Sequence, residues 1–178
     1  MATTPKHGKW LESYFAEHSH IANEERYVSA ACTLLAKVAV NIEREYAIPC
    51  GRVDVAGTLP NGEWVLIECK NFEQNASAHV DAVMQAASYA DAIQYPVFVG
   101  PFDGSRSTLC NGTADDGMTM LHLLAGRLNV GFLAVNHRGE VQLILRGQVV
   151  VGSRDGLHSR FADHWGYVQR KGSGQVKK

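Results

Sequence analysis

The chain has no excess of charge of either sign and no long hydrophobic run. Its 178 residues include 17 Lys and Arg against 18 Asp and Glu, a formal net charge of −1. Many proteins that bind nucleic acid are globally basic, so any such surface here must be a local patch. No apolar stretch approaches the ~20 residues that span a bilayer, so we expect no membrane partner.

Targeting signals and metal-binding cysteine motifs are also missing. Residues 1–10 lack the apolar stretch of a signal peptide, so we expect a cytoplasmic protein. No Cys-x-x-Cys spacing occurs, which disfavours a zinc site or a disulfide framework, and we interpret the cysteines as reduced, mostly buried thiols. The glycine-rich phosphate-binding loop G-x-x-x-x-G-K-[ST] is absent as well, which disfavours an enzyme that acts on a small phosphorylated substrate. The four scattered cysteines are Cys32, Cys50, Cys69 and Cys110.

The length and the 46% hydrophobic content fit one domain with an adequate core. We predict an N-terminal arm over residues 1–20, with a short helix near Trp10 to Phe15. A single domain should follow over residues 21–168. Residues 169–178 are rich in Gly, Ser and Lys, which is typical of a flexible tail.

Apolar periodicity predicts two principal helices and several strands. The first helix should begin at Asn23 as its N-cap and end near Val40. The second, from about Ala78 to Ile93, should bury Val80, Val83, Met84, Ala87 and Ala90. Strands are predicted over residues 42–48, 96–99, 131–135, 141–145 and 148–151, with a loop over 103–117 and a helix over 118–128.

A hairpin in the middle of the chain gathers charge at one end. Pro60-Asn61-Gly62 suits a three-residue turn with glycine in the left-handed position, and this turn pairs Leu59 with Glu63. The register then sets Asp54 opposite Glu68. Side chains alternate along a strand, so Lys70 shares their face while the opposite face is wholly apolar. A two-residue turn at Asn61-Gly62 would shift the register by one residue and mix apolar and charged side chains on both faces.

Burying two carboxylates and a lysine costs free energy, so a cluster of this kind indicates a functional role. Paired carboxylates are hard oxygen ligands for Mg²⁺, and a nearby ammonium can stabilise negative charge. Asp54 followed by Glu68-Cys69-Lys70 resembles the signature of the PD-(D/E)XK nuclease superfamily. Gln85-x-x-x-Tyr89, on the next predicted helix, resembles the motif of its RecB-like branch. The proline of the signature is absent, because Val53 stands in its place.

This resemblance implies a restriction-endonuclease-like α/β fold, a mixed central sheet flanked by helices. It implies a Mg²⁺- or Mn²⁺-dependent nuclease, with Asp54, Glu68 and the Cys69 main-chain carbonyl as metal ligands and hydrolysis by a metal-activated water. Lys70 would orient that water and neutralise charge in the transition state. Gln85 and Tyr89 would support catalysis and contact the substrate strand.

The family commonly places a further glutamate of the first helix at the metal. Periodicity favours Glu24, which lies on the apolar stripe. Glu25, followed by Arg26, instead resembles archaeal Holliday-junction resolvases of the superfamily, so both residues stay candidates.

Arg44 and Arg52, on strands beside the site, are candidate nucleic-acid contacts. We expect DNA rather than RNA as the partner, and a homodimer is compatible with the sequence. Endonuclease and exonuclease activity are both open. One alternative is a nucleic-acid-binding or protein-interaction module on the same scaffold with weak or no catalysis. Another is a Mg²⁺ enzyme acting on a small phosphorylated substrate.

Overall fold

The computed structural model describes residues 10–71, 77–103, 125–136, 139–145, 148–152 and 156–157. Its helices are α1 (Trp10–Glu17), α2 (Asn23–Leu35) and α3 (Ser77–Ile93). Its strands are β1 (Asn41–Ile48), β2 (Gly51–Thr58), β3 (Trp64–Glu68), β4 (Val97–Asp103), β5 (Val130–Val135), β6 (Val141–Leu145), β7 (Gln148–Gly152) and β8 (Gly156–Leu157).

The described strands form one mixed sheet in which they lie side by side in chain order. Strands β1, β2 and β3 are antiparallel, and β3, β4 and β5 run parallel to one another. The remaining strands return to antiparallel pairing. Helix α3 connects the parallel strands β3 and β4, as a parallel pair requires. Helix α2 contacts β2 and β4, and α3 contacts β3, β4 and β5. The predicted mixed central sheet flanked by helices is confirmed.

The register predicted for the β2–β3 hairpin is confirmed. The Leu59 amide donates to the Glu63 carbonyl at 2.7 Å, and the Gly62 amide donates to the Leu59 carbonyl at 2.8 Å. Gly62 has a φ of 87°, the left-handed conformation that the turn requires. Val55 therefore pairs with Ile67, which directs the apolar face of the hairpin into the core.

Helix α2 begins and ends differently from the prediction. Its N-cap is Ala22, in an extended conformation and without a side-chain cap, whereas the Asn23 side chain accepts a hydrogen bond from Arg26. The helix ends at Leu35 rather than near Val40. The chain has to leave the helix there, because the Val40 amide donates to the Thr58 carbonyl and so extends the pairing of β1 with β2.

The buried stripe of α3 is rotated from the one we predicted. Val83, Ala87 and Ala90 are buried as expected, but Val80 and Met84 are 46% and 51% exposed. The remaining buried positions are Ala82 and Ala86. Small alanine side chains let the helix backbone approach the sheet, so they occupy the interface although their hydrophobicity is low.

This rotation makes a matched pair of substitutions informative. Val83→Ala should lower the free energy of unfolding by about 1.5–3 kcal/mol, because Val83 is fully buried. Val80→Ala, in the same helix, should change it by less than about 0.5 kcal/mol. The shared helix propensity term cancels between the two. Urea unfolding measures both values, and equal losses would show that Val80 is also buried in solution.

Several other predictions concern residues that lie partly outside the described ranges. Helix α1 forms where a short helix was predicted, and it buries Leu11 and Tyr14 in the core. The predicted tail over 169–178 lies outside the described residues, as does most of the predicted loop 103–117 and helix 118–128. The domain boundaries therefore stay predictions. No helix in the described ranges is long and apolar enough to cross a membrane.

The described cysteines are free thiols and, contrary to the prediction, are not mostly buried. Cys69 is fully buried, Cys32 is half-buried and Cys50 is exposed. Cys50 lies in the turn that joins β1 to β2, where its side chain is not packed into the core. Cys110 lies outside the described residues.

Candidate active site

The carboxylate of Asp54 lies where the pairing of β2 with β3 ends. The regular ladder stops at the pair Val55–Ile67, so the next position sets Asp54 opposite Glu68. There the Cys69 amide donates to Asp54 Oδ2 at 2.6 Å instead of to a strand carbonyl. This charge-assisted bond fixes the orientation of the carboxylate and ties the chain after β3 to β2.

Glu68 is the most deeply buried charged residue of the site. Only 1% of its surface is exposed, and its Oε2 atom has no hydrogen-bond partner within the described part of the chain. Its other oxygen, Oε1, lies 3.2 Å from Lys70 Nζ. A buried carboxylate oxygen without a partner is costly, and such atoms in native structures call for an explanation. Here the free oxygen is available to a ligand.

Lys70 lies between two glutamates. Its amine is 3.2 Å from Glu68 Oε1 and 3.7 Å from Glu24 Oε1, and its side chain is 28% exposed. Burial lowers the pKa of this amine, but Glu68, Asp54 and Glu24 together raise it above its ordinary value. Lys70 is therefore a cation at neutral pH, which suits it to stabilising negative charge and not to accepting a proton.

The two carboxylates have shifted pKa values. Burial raises the pKa of Glu68 to about 7, the charge of Asp54 adds to the rise, and Lys70 opposes it. Burial also raises the pKa of Asp54, while the Cys69 amide and Lys70 lower it. The charge of Asp54 thus disfavours ionisation of Glu68, a repulsion that a bound divalent cation would relieve.

The two candidate glutamates of α2 lie in different places. Glu24 approaches Lys70, although its side chain is 60% exposed. Glu25 instead contacts Arg44 on β1 through both of its oxygens, at 2.5 and 2.6 Å. The structure therefore brings Glu24 toward the carboxylates and turns Glu25 toward the edge of the sheet.

Gln85 and Tyr89 lie on one face of α3 and contact each other. Gln85 Nε2 donates to Tyr89 Oη at 2.9 Å, and both side chains are half-buried. The Tyr89 ring touches the start of β2, since a Cβ built on Gly51 would lie 3.3 Å from Tyr89 Cε1 and Oη. Gly51 is three residues before Asp54, so this pair lies beside the strand that carries the site.

One charged neighbour of the site was missed by the sequence reasoning. Glu45, on β1, faces Asp54 across the sheet, between the pairs Arg44–Val55 and Tyr46–Val53. Its φ of 52° is left-handed in the middle of a strand, and its charge helps to raise the pKa of Asp54. The two-residue turn after Ile48 was the available signal, because it sets this register.

The donor set fits a divalent cation bound mainly through water and substrate. No group of three His, Cys, Asp or Glu side chains in the described ranges is arranged to hold an ion alone. Mg²⁺, however, typically binds to one or two carboxylates and keeps several waters or phosphate oxygens. Asp54 and the Glu68 oxygen that has no partner among the described residues supply two such carboxylates.

Comparison with protein families relates this part of the chain to a nuclease. Residues 22–104 match the family described as the Endonuclease NucS C-terminal domain. The matched segment contains all the site residues discussed above. This family match is consistent with the resemblance to restriction-endonuclease-like nucleases. No match was found among curated proteins.

A search of solved structures matched the crystal structure of a repair endonuclease from Pyrococcus abyssi. The identity is 17% and the TM-score is 0.38, over 76% of this chain and 50% of that one. The present chain thus spans about half the length of that protein.

Proposed function

We propose that this chain is a metal-dependent nuclease that hydrolyses phosphodiester bonds, with DNA as the favoured substrate and the cytoplasm as its location. The observation that carries the proposal is the single face on which Asp54, Glu68 and Lys70 meet, where one oxygen of buried Glu68 has no partner among the described residues. The similarity of residues 22–104 to a family named for an endonuclease supports it.

Asp54, Glu68 and the Cys69 main-chain carbonyl would hold Mg²⁺ or Mn²⁺. When bound, the cation would polarise the scissile phosphate and lower the pKa of a coordinated water. The Cys69 amide keeps the Asp54 carboxylate in place, at 2.6 Å. Glu24, close to Lys70, would accept a hydrogen bond from a water at the rim of the site.

Lys70 would place a positive charge next to the phosphate as negative charge grows on its oxygens. The amine is already fixed by Glu68 and Glu24, so little reorganisation is needed during the reaction. Water attacks phosphorus and the bond to the 3′ oxygen breaks, which leaves a 5′-phosphate, the product that the family resemblance implies.

Gln85 and Tyr89 extend the proposal to the RecB-like branch of the superfamily. In this role they support the site from α3 and contact the substrate strand. Gln85→Ala should lower the cleavage rate more than tenfold with little change in melting temperature, because Gln85 is not part of the buried stripe of α3. Ser88→Ala, on the exposed side of the helix, is the matched control. An unchanged rate would remove the RecB-like assignment and leave the broader nuclease proposal standing.

The direct test is incubation of the purified chain with linear, circular, branched and single-stranded DNA, with and without Mg²⁺ or Mn²⁺. We expect cleavage only with metal, and none with Asp54→Asn, which removes a ligand charge at constant shape. Circular DNA separates endonuclease from exonuclease action. Binding without cleavage under every metal condition would favour the alternative of a non-catalytic binding module.

A further inference from the structure

Each of the two arginines near the site is held by an exposed glutamate. Arg44 Nη2 contacts both oxygens of Glu25, at 2.5 and 2.6 Å, and Arg52 Nη1 lies 3.5 Å from Glu45 Oε2. Arg52 is two residues before Asp54 on β2, and Arg44 is opposite Val55 on β1. Both arginines therefore lie within one or two positions of Asp54 in the β1–β2 ladder, at the β1 edge of the sheet.

In the contact between Glu25 and Arg44, a single guanidinium nitrogen reaches both carboxylate oxygens. A guanidinium group recognises paired oxygens, and a carboxylate and a phosphate both present them. Glu25 thus occupies the position that a phosphate would take. About half of each side chain is exposed, 46% for Glu25 and 48% for Arg44. An exposed ion pair of this kind is weak and can be exchanged for a competing anion.

We propose that Glu25 is an exchangeable counterion of Arg44, displaced by a backbone phosphate when a DNA strand approaches the site. Glu45 would play the same part for Arg52, with a longer and weaker contact. The inference rests on the proposed function, since it takes DNA as the ligand. It also explains how a chain with a formal net charge of −1 can present a phosphate-binding patch only when a strand competes for it.

The test measures DNA binding without catalysis. Fluorescence anisotropy in EDTA, with a short labelled duplex and the corresponding single strand, gives the Kd for the parent, Glu25→Gln, Arg44→Gln and the double variant. Glu43→Gln is the matched control, because Glu43 is exposed next to Arg44 on β1 and forms no ion pair within the described residues. It removes the same charge without releasing an arginine. Melting temperatures verify that each variant is folded.

Glu25→Gln should bind up to about fivefold more tightly than Glu43→Gln, the range of an exposed ion pair. In the Arg44→Gln background this advantage should vanish. Arg44→Gln should also reduce the slope of log K against log salt by about 0.9 for the duplex. Equal affinities of Glu25→Gln and Glu43→Gln would overturn the counterion role and leave the nuclease proposal intact. No DNA binding by any variant, with no cleavage by the parent, would overturn both.

Discussion

Lys70→Ala should lower the cleavage rate by about 100- to 1,000-fold while the chain stays folded. Removing one group that stabilises charge in the transition state typically costs about 2.7–4 kcal/mol. The amine lies 3.2 Å from Glu68, and its raised pKa keeps it charged at neutral pH. Lys37→Ala is a control for the loss of a lysine, since Lys37 donates to the Gly139 carbonyl away from the site.

A metal titration separates two explanations of such a loss. Without Lys70, protonation of Glu68 becomes more favourable, so the metal could bind more weakly. If Lys70 acts on the transition state, the rate stays low at saturating Mg²⁺. Recovery of the parent rate at high Mg²⁺ would show instead that Lys70 only tunes the metal site. A parent-like rate at every Mg²⁺ concentration would remove any role for Lys70 in cleavage.

The catalytic hairpin could be predicted from the sequence because its register depends on local signals. Pro60, Asn61 and Gly62 specify a three-residue turn, and Gly62 adopts the expected positive φ. Burial of one face then admits one register, since a slip by one residue would turn every side chain to the wrong side. The same argument was available for the turn after Ile48, where it would have revealed Glu45 opposite Asp54.

The errors arose where tertiary packing overrode a local preference. Hydrophobicity favoured Val80 and Met84 as buried, but the interface of α3 with the sheet uses Ala82 and Ala86. Close approach of a helix to a sheet depends on small side chains, which hydrophobic periodicity weights too lightly. Likewise, α2 ends before Val40, whose amide donates to the carbonyl of Thr58, a partner distant in the sequence.

The separation of Glu24 from Glu25 also required the structure. Periodicity placed Glu24 on the inner stripe, and Glu24 does approach Lys70. What the sequence could not specify was the position of Arg44, which engages Glu25 across 19 positions of the chain. Which long side chains form ion pairs depends on the distances between α2 and the strands, and these distances follow from the packing of α2 against the sheet.

The metal-free chain should lose stability as the pH rises from about 4.5 to about 7. The pKa of Glu68 is raised from 4.5 in the unfolded chain to about 7 in the folded one. The folded state therefore holds the proton more tightly, and its advantage is complete below about pH 4.5 and lost as the pH approaches 7. At about 1.4 kcal/mol per pKa unit, the loss from Glu68 is about 3 kcal/mol. Asp54 shifts in the same direction.

Urea unfolding in EDTA at pH 5 and at pH 7.5 measures this loss. Glu68→Gln cannot ionise, so its stability should change much less between the two pH values, and at pH 7.5 it should be more stable than the parent. Glu43→Gln, exposed on β1, should follow the parent. Adding Mg²⁺ at pH 7.5 should then stabilise the parent and not Glu68→Gln, because a ligand of the folded state raises its stability. Parallel pH profiles for parent and Glu68→Gln would mean that Glu68 is hydrated and ionised in solution, and the buried carboxylate on which the metal proposal depends would not exist.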